Sequence, residues 1–178
     1  MGTRHLIVVV SNKKTKVAQY GQFDGYPSGR GADVLEFLSS VNLEEFKKKV
    51  DKLSFYKDAE IDSLSVEEHP ELHRDTSADI LPLIYEGKVN KLVNREDFAG
   101  DGLFCEYCYV IDLDNRVLDV YTGSKEPLEK TDRYYRYMKT ISEDSTYMPV
   151  KKRVSFSLDS LPKISEFIEK TEQIVGAF

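Results

Sequence analysis

The chain has 178 residues and a formal net charge of −6, and 40% of its residues are hydrophobic, including 11 tyrosines and 9 phenylalanines. This composition predicts one globular domain over residues 1–178 rather than a disordered chain. The acidic balance argues against general binding of nucleic acid. No apolar run reaches the length of a membrane span and no secretory leader is evident, so we expect a cytoplasmic protein that does not enter membranes.

A hairpin pattern opens the chain. Residues 6–10 form a continuous run of leucine, isoleucine and valine, which is typical of a strand buried on both faces. Residues 11–14 have the composition of a turn, and residues 15–20 alternate as a returning strand does. Residues 21–31 follow with four glycines and one proline, a density that excludes regular structure.

Helical patterns come next. One helix is predicted at residues 33–39, and a second begins at Asn42, because Asn42 and Glu45 have the spacing of a capping box. A third helix is predicted to start from a cap within residues 75–77 and to stop at Gly87.

The later part of the chain is predicted to contain strands at residues 104–113, 117–121 and 154–158 and a closing amphipathic helix at residues 160–175. The apolar face of that helix comprises Ile164, Phe167, Ile168, Thr171 and Ile174 or Val175. Hairpins mixed with helices, without regular β-α-β alternation, predict an α+β domain in which an antiparallel sheet of hairpins is covered by helices.

The segment 21–31, which we call the glycine loop, carries the strongest functional signal. Glycines allow a ligand to approach main-chain amides closely, and free amides at the start of a helix attract anions. The residues predicted to contact a polar or anionic ligand here are Tyr20, Gln22, Asp24, Gly25, Tyr26, Ser28 and Arg30. The alternative is a structural connection in which Asp24 caps local amides and Pro27 stiffens a turn.

Two arginines elsewhere are predicted to reach the same place. Arg4 lies at the start of the first strand, near the end of its hairpin partner, and can clamp an anion or neutralise Asp24. Arg74 precedes the third predicted helix, where Asp75 either caps that helix or joins the ligand site. His5 is either a satisfied structural residue or a base.

Glu106 lies within an otherwise apolar stretch, where a carboxylate is costly unless it is paired or exposed. If it faces the glycine loop, Asp24 and Glu106 form a candidate acid/base pair for catalysis. If it faces inward, Arg4 or Arg74 is its natural partner.

Two patterns of metal-binding residue types are weak. Cys105 and Cys108 have C-x-x-C spacing, but alternation along a strand predicts that their thiols point to opposite faces, as packed thiols in a reducing cytoplasm. His69 and His73 have helical spacing, but Pro70 lies between them and no third ligand is prescribed. We therefore predict no metal site, and the sequence names no cofactor.

Basic residues and tyrosines are interleaved over residues 130–153. This pairing occurs on surfaces that stack single-stranded nucleic acid, and equally on a solvated face with ordinary tyrosine packing. A broad exposed aromatic surface from Tyr134 to Tyr147 would suit an inhibitor of a host protein.

Motif strings in four regions carry a family resemblance: GTRHLI at residues 2–7, VAQYGQ and DGYPSG within 17–29, RDT and ADIL within 74–81, and FCE and YVIDLD within 104–114. Together they resemble an uncharacterised family of phage or prophage proteins and fungal hypothetical proteins. Phe23 stands where that family has tryptophan. Because the family has no established activity, the resemblance implies only that the glycine loop, the Arg-Asp-Thr segment and the Cys-Glu strand belong to one site.

The chain layout is also similar to that of N-terminal-nucleophile hydrolases, in which a short tail feeds a buried strand and a hairpin. Those enzymes use a Cys, Ser or Thr at the mature N-terminus, with its α-amine as the base. Removal of Met1 would leave Gly2 first and Thr3 one residue inside. The resemblance therefore implies a sandwich of that kind without its chemistry.

The sequence favours a phage-related protein that binds a polar or anionic small molecule, with nucleotide derivatives among the options. One alternative is a hydrolase or transferase that uses Asp24 and Glu106. Another is an inhibitor that binds a host protein. The expected partner is thus a small molecule, with a protein partner left open.

Overall fold

The computed structural model describes residues 2–175, with the backbone alone for residues 174 and 175. The strands in this range are β1 (His5–Ser11), β2 (Lys14–Gly21), β3 (Ser54–Phe55), β4 (Lys91–Leu92), β5 (Tyr107–Asp112), β6 (Val117–Ser124) and β7 (Met148–Ser157). The central sheet has the order β2-β1-β5-β6-β7, and β3 and β4 form a separate two-stranded ribbon. The α+β architecture is confirmed.

The predicted antiparallel hairpins are present, but the central sheet that they form is mixed. β1 and β5 run parallel, with His5 opposite Tyr107, and the other neighbouring strands of this sheet are antiparallel. The reason is that β1–β2 and β5–β6 are two hairpins laid side by side. Their first strands meet at the centre and enter from the same end of the sheet.

The helices are α1 (Ala32–Ser40), α2 (Leu43–Asp51), α3 (Asp58–Ile61), α4 (Ile80–Tyr85) and α5 (Ile164–Val175). Buried side chains of α1, α2, α4 and α5 share one core with alternate residues of the sheet, among them Ile7 and Val9. Phe167 and Thr171 of α5 are buried as predicted. The side chains of Ile174 and Val175 lie outside the described part.

The opposite face of the sheet is covered mainly by irregular segments that include the short 3-10 helices Glu96–Gly100 and Tyr135–Thr140. Leu6, Val8 and Val10 of β1 point into this second core. All seven residues of β1 are buried, as the apolar run predicted. Each fully buried aliphatic side chain of this kind contributes about 1.5–3 kcal/mol to folding.

The two hairpins are joined at their tips. Asn12 and Lys13 have φ of 53° and 62°, as a tight two-residue hairpin turn requires. The Asp114 carboxylate, from the β5–β6 turn, accepts their amides at 2.8 and 2.7 Å. This contact fixes the end of the sheet that lies away from the glycine loop.

Most predicted elements are present with shifted ends. α2 is capped as predicted, because Asn42 Oδ1 accepts the Glu45 amide at 3.0 Å. The prediction that Asp75 or a neighbour caps the third helix is wrong: a 3-10 turn, Ser77–Asp79, leads into α4 with no side-chain cap at either start. β7 begins six residues earlier than the predicted strand, at Met148.

The prediction that Cys105 and Cys108 are packed thiols is confirmed, but the prediction that they point to opposite faces of a strand is wrong. β5 begins only at Tyr107, so Cys105 lies before the strand and alternation does not apply to it. Cys105 and Cys108 are both free and both buried in the same core. Burial raises the pKa of Cys108 to about 12 and that of Cys105 well above its usual value, so both stay protonated thiols.

Candidate functional site

The glycine loop closes over the protein's own side chains. A Cβ added to Gly21 would lie 2.2 Å from His5 Nε2, and one added to Gly25 would lie 2.4 Å from His5 Nδ1. A Cβ on Gly31 would lie 2.7 Å from the Tyr109 hydroxyl. These glycines are therefore required because His5 and Tyr109 fill the space beneath the loop, and not because a ligand needs it.

Main-chain amides of the glycine loop are paired within the protein. The bonds run from Gln22 N to Arg74 O at 3.0 Å, from Gly25 N to Thr3 O at 3.1 Å, from Gly29 N and Gly31 N to Tyr26 O at 2.9 and 3.3 Å, and from Arg30 N to Asp24 O at 2.7 Å. The expectation that loop amides are free to bind an anion is wrong at these five positions.

His5 and Ser77 form a buried hydrogen-bonded pair beneath the loop. His5 Nδ1 lies 3.0 Å from the Thr3 carbonyl, so it carries the proton and Nε2 accepts from the Ser77 hydroxyl. Burial lowers the pKa of His5 to about 4, which keeps the imidazole neutral at physiological pH. Ser77 has φ of 45°, a backbone conformation that serine seldom adopts. Because both residues are 1% exposed or less, the pair holds the fold and does not face a ligand.

Arg30 ties the glycine loop to the turn before α4. Its Nη1 lies 3.1 Å from Asp79 Oδ1 and 3.3 Å from Asp33 Oδ2, and its Nη2 donates to the Asp75 carbonyl at 3.0 Å. The structure thus brings together Arg30 and Asp75, two of the predicted ligand residues. Their contact is structural, since the guanidinium is already bonded on both sides.

A cleft of about 570 Å³ opens beside the edge strand β2. We call it the β2 cleft. Gln19 and Tyr20 form its floor, and its walls come from residues 71–74 and 93–101. Of the predicted ligand residues, Tyr20 and Arg74 lie here.

Two arginines from different segments of the chain line the β2 cleft. Arg95 is exposed, and within residues 2–175 no carboxylate forms an ion pair with it. Arg74 is 63% exposed, and its Nε lies 3.7 Å from Asp75. The Arg74 guanidinium also lies over the Phe23 ring, with its carbon 5.3 Å from the centroid. An ion pair so exposed contributes little energy and a ring contact leaves N–H groups at the guanidinium edge, so both arginines can bind an anion.

Aromatic and acidic side chains complete the cleft. The Tyr20 and Phe98 rings meet edge to face with their centroids 5.2 Å apart. Asp97 and Asp101 are exposed along the same wall. The cleft therefore combines two available cations, two acids and an apolar wall, the mixture that orients a small polar ligand.

Buried Glu71 borders the cleft but serves the fold. Its carboxylate accepts from the Tyr56 hydroxyl at 2.8 Å and lies 3.1 Å from His69 Nδ1. His73 also lines the cleft, and its Nδ1 accepts the Asp75 amide at 3.1 Å. Among the described residues no group of three or more His, Cys, Asp or Glu is arranged to hold a metal ion.

Several predicted residues lie elsewhere on the surface of the glycine loop. Asp24, Tyr26 and Ser28 are exposed. The Tyr26 hydroxyl donates to Asp24 Oδ1 at 3.2 Å, and this bond raises the pKa of Tyr26. Gln22 accepts the Tyr20 hydroxyl through its side chain, which links the loop to the floor of the cleft.

Arg4 and Glu106 are placed on another side of the loop. Arg4 stacks over the Phe104 ring, with its guanidinium carbon 5.0 Å from the centroid. Glu106 is exposed and lines a separate depression of about 440 Å³. Asp24 does not line that depression, so the proposed acid/base pair does not share it.

The aromatic surface expected near Tyr134 is not formed. Tyr134 is 1% exposed, contacts Tyr121 edge to face and stacks on Tyr137. Tyr135, Tyr137 and Met138 pack against the second core. These tyrosines therefore serve packing and do not form the exposed surface that the inhibitor hypothesis predicts, and inhibition of a host protein stays a prediction.

The wall formed by residues 93–101 was not predicted from the sequence. A local signal is Asn94, whose Oδ1 accepts the Glu96 amide at 3.0 Å just before the 3-10 helix Glu96–Gly100. Arg95 and Phe98 reach the cleft because the Arg95 amide bonds to Ala18 O of β2 at 3.1 Å. That contact is distant in sequence and no local pattern reveals it.

No helix in the described part of the chain is long and apolar enough to cross a membrane.

Comparison with known proteins finds no relative of this chain: no family model, no curated protein and no solved structure matches it.

Proposed function

We propose that the protein binds a small polar molecule with an anionic group in the β2 cleft. The observation that carries this proposal is the approach of Arg74 and Arg95 from two separate walls without neutralisation by the acids of the cleft. An anion bound in the cleft would have two guanidinium groups available as partners.

The other contacts of the cleft support a ligand with a flat or apolar part. Phe98 and Tyr20 offer ring edges and faces, while Asp97 and Asp101 can accept hydrogen bonds from hydroxyl or amino groups. A volume of about 570 Å³ lies within the range of small-molecule sites. Nucleotide derivatives fit this combination, as do other carboxylated or phosphorylated compounds.

Isothermal titration with orthophosphate, ADP and citrate tests the proposal. We expect at least one probe to bind, and we expect Arg95→Ala and Arg74→Ala each to weaken it about tenfold, which is about 1.4 kcal/mol. Lys48→Ala is the control, because Lys48 is an exposed cation on α2 outside the cleft.

The control variant should bind as the unaltered protein does. Absence of binding by all three probes, or binding that neither arginine variant weakens, would overturn the assignment of this cleft.

A further inference from the structure

The β2 cleft also exposes a stretch of sheet edge. β2 is the outer strand of the sheet and pairs with β1 on its inner side only. In the antiparallel register His5 lies opposite Gly21, and Ile7 lies opposite Gln19. Main-chain groups of successive residues in a strand point to alternate sides, so those of Ala18, Tyr20 and Gln22 point outward.

Two of these outward positions are covered by other segments. The Ala18 carbonyl accepts the Arg95 amide at 3.1 Å, and the Gln22 amide donates to the Arg74 carbonyl at 3.0 Å. Between them, the outward amide and carbonyl of Tyr20 have no hydrogen-bond partner within residues 2–175. The unpaired part of the β2 edge therefore lies between the segments that carry Arg74 and Arg95.

Unpaired edge groups of a strand are a template for another extended chain. One residue of an added antiparallel strand would bond to both main-chain groups of Tyr20. At about 3.3 Å per residue, the span from Ala18 to Gln22 is about 13 Å, which accommodates an extended segment of about three residues.

From this we propose that the ligand of the β2 cleft is the carboxyl-terminal end of a short extended peptide, which adds to β2 at Tyr20 and places its terminal carboxylate at Arg95. This inference rests on the proposed function and specifies its ligand class. An antiparallel peptide runs from the Gln22 end towards the Ala18 end, and the Arg95 amide is fixed at Ala18. Its last residue therefore meets the Arg95 guanidinium.

The geometry disfavours a second copy of this chain as the occupant. The segments that carry Arg74 and Arg95 cross the edge on both sides of Tyr20, so a long neighbouring strand cannot pair with β2 without displacing them. A chain end of a few residues fits between these segments.

Two libraries test the proposal: N-acetylated tripeptides of random sequence with free carboxyl termini, and the same library with amidated termini. Titration into ¹⁵N-labelled protein should shift the Tyr20 amide resonance with the free-acid library and slow its hydrogen exchange. We expect amidation, or Arg95→Ala, to weaken binding at least tenfold.

A pair of variants isolates the backbone contribution. Tyr20→Pro and Tyr20→Ala both remove the ring, but only proline removes the outward amide. That amide is unused in the fold, and proline is tolerated on an edge strand in such a position. We expect Tyr20→Pro to bind the free-acid library at least tenfold more weakly than Tyr20→Ala.

The outcomes separate this inference from the proposed function. If ADP, citrate or orthophosphate binds through Arg95 while the peptides do not, the anion site stands and the peptide assignment is wrong. If free and amidated libraries bind equally, or Tyr20 is unaffected, the peptide assignment is also wrong. If none of the three anion probes binds, the proposed function falls, and the peptide assignment that rests on it falls with it.

Discussion

The glycine loop and the β2 cleft differ in how their polar groups are used. In the loop, Arg30 has three partners and His5 is bonded through both ring nitrogens. In the cleft, Arg95 has no ion pair within the described chain, and both outward groups of Tyr20 are unpaired.

This difference shows that a dense group of polar residues and glycines is weak evidence for a site. Such residues also satisfy one another when a loop must close over a buried polar side chain. The better signal is a polar group that the fold leaves unpaired, and that signal appears only when distant segments are placed together. Substitutions in the glycine loop should therefore reduce stability, whereas substitutions in the β2 cleft should reduce ligand binding.

If the loop is packed against His5, adding a single methyl group should disturb it strongly. In Gly25→Ala the new Cβ would meet His5 Nδ1 at 2.4 Å and the Thr3 carbonyl at 2.6 Å. We expect a loss of about 3 kcal/mol in the free energy of unfolding, measured with urea.

Gly87→Ala is the matched control, because Gly87 has φ of +75° and its added Cβ would meet only Lys49 Nζ at 3.6 Å. Backbone strain alone should lower stability there by about 1 kcal/mol. A Gly25 variant as stable as this control would contradict the close packing of the loop.

Lowering the pH should reduce the free energy of unfolding, because His5 beneath the glycine loop must take up a proton. Burial lowers the pKa of folded His5 to about 4, whereas the unfolded chain has the ordinary value of 6.5. The unfolded state therefore binds the proton first. The stabilisation is complete above pH 6.5 and is lost as the pH falls towards 4, by about 3 kcal/mol in total.

Urea titrations at several values between pH 7.5 and 4.5 measure this loss. His73→Gln should retain it, because His73 is 47% exposed. A stability that stays flat across this range would show that folding does not lower the pKa of His5.

Removal of the Tyr109 hydroxyl should lower the stability of the protein moderately. It donates to the Gly25 carbonyl at 2.7 Å from a fully buried position. Tyr109→Phe leaves that carbonyl without this donor and should lower the free energy of unfolding by about 1–2 kcal/mol. Tyr85→Phe is the comparison, since Tyr85 is half-buried and keeps its ring contact with Phe37; it should be nearly neutral.

Arginine variants should give the smallest effects and the sharpest contrast. Arg95→Ala should change stability by less than about 0.5 kcal/mol, because no structural partner is lost. Arg30→Ala breaks three contacts and should lower stability by about 1 kcal/mol. In ligand titrations Arg95→Ala should weaken binding more than Arg30→Ala does. An Arg95 variant that unfolds readily would show that this residue serves the fold.

The sequence predicts the parts of the fold that depend on residues close together in the chain. The run at residues 6–10, the cap at Asn42 and the turn at residues 11–14 each specify their own element. The parallel neighbours β1 and β5 were not predicted, because the pairing of two hairpins depends on contacts between residues about 100 positions apart.

The candidate site was only partly accessible. Tyr20 and Arg74 were predicted and line the cleft, whereas Arg95 and Phe98 were not predicted. The interpretation of the loop failed because sequence does not show whether an amide is already bonded. The likeness to phage proteins and to N-terminal-nucleophile hydrolases stays a prediction, as does catalysis by Asp24 and Glu106.

The parallel pairing of β1 with β5 has a consequence for the nascent chain. β1 is apolar along nearly its whole length, yet its neighbour on one side is made about 100 residues later. During synthesis, the edge of β1 that will pair with β5 therefore stays exposed until β5 has been made, and an exposed apolar strand is prone to aggregation. Folding should slow or fail when translation stops before residue 112, whatever the affinity of the finished protein for a ligand.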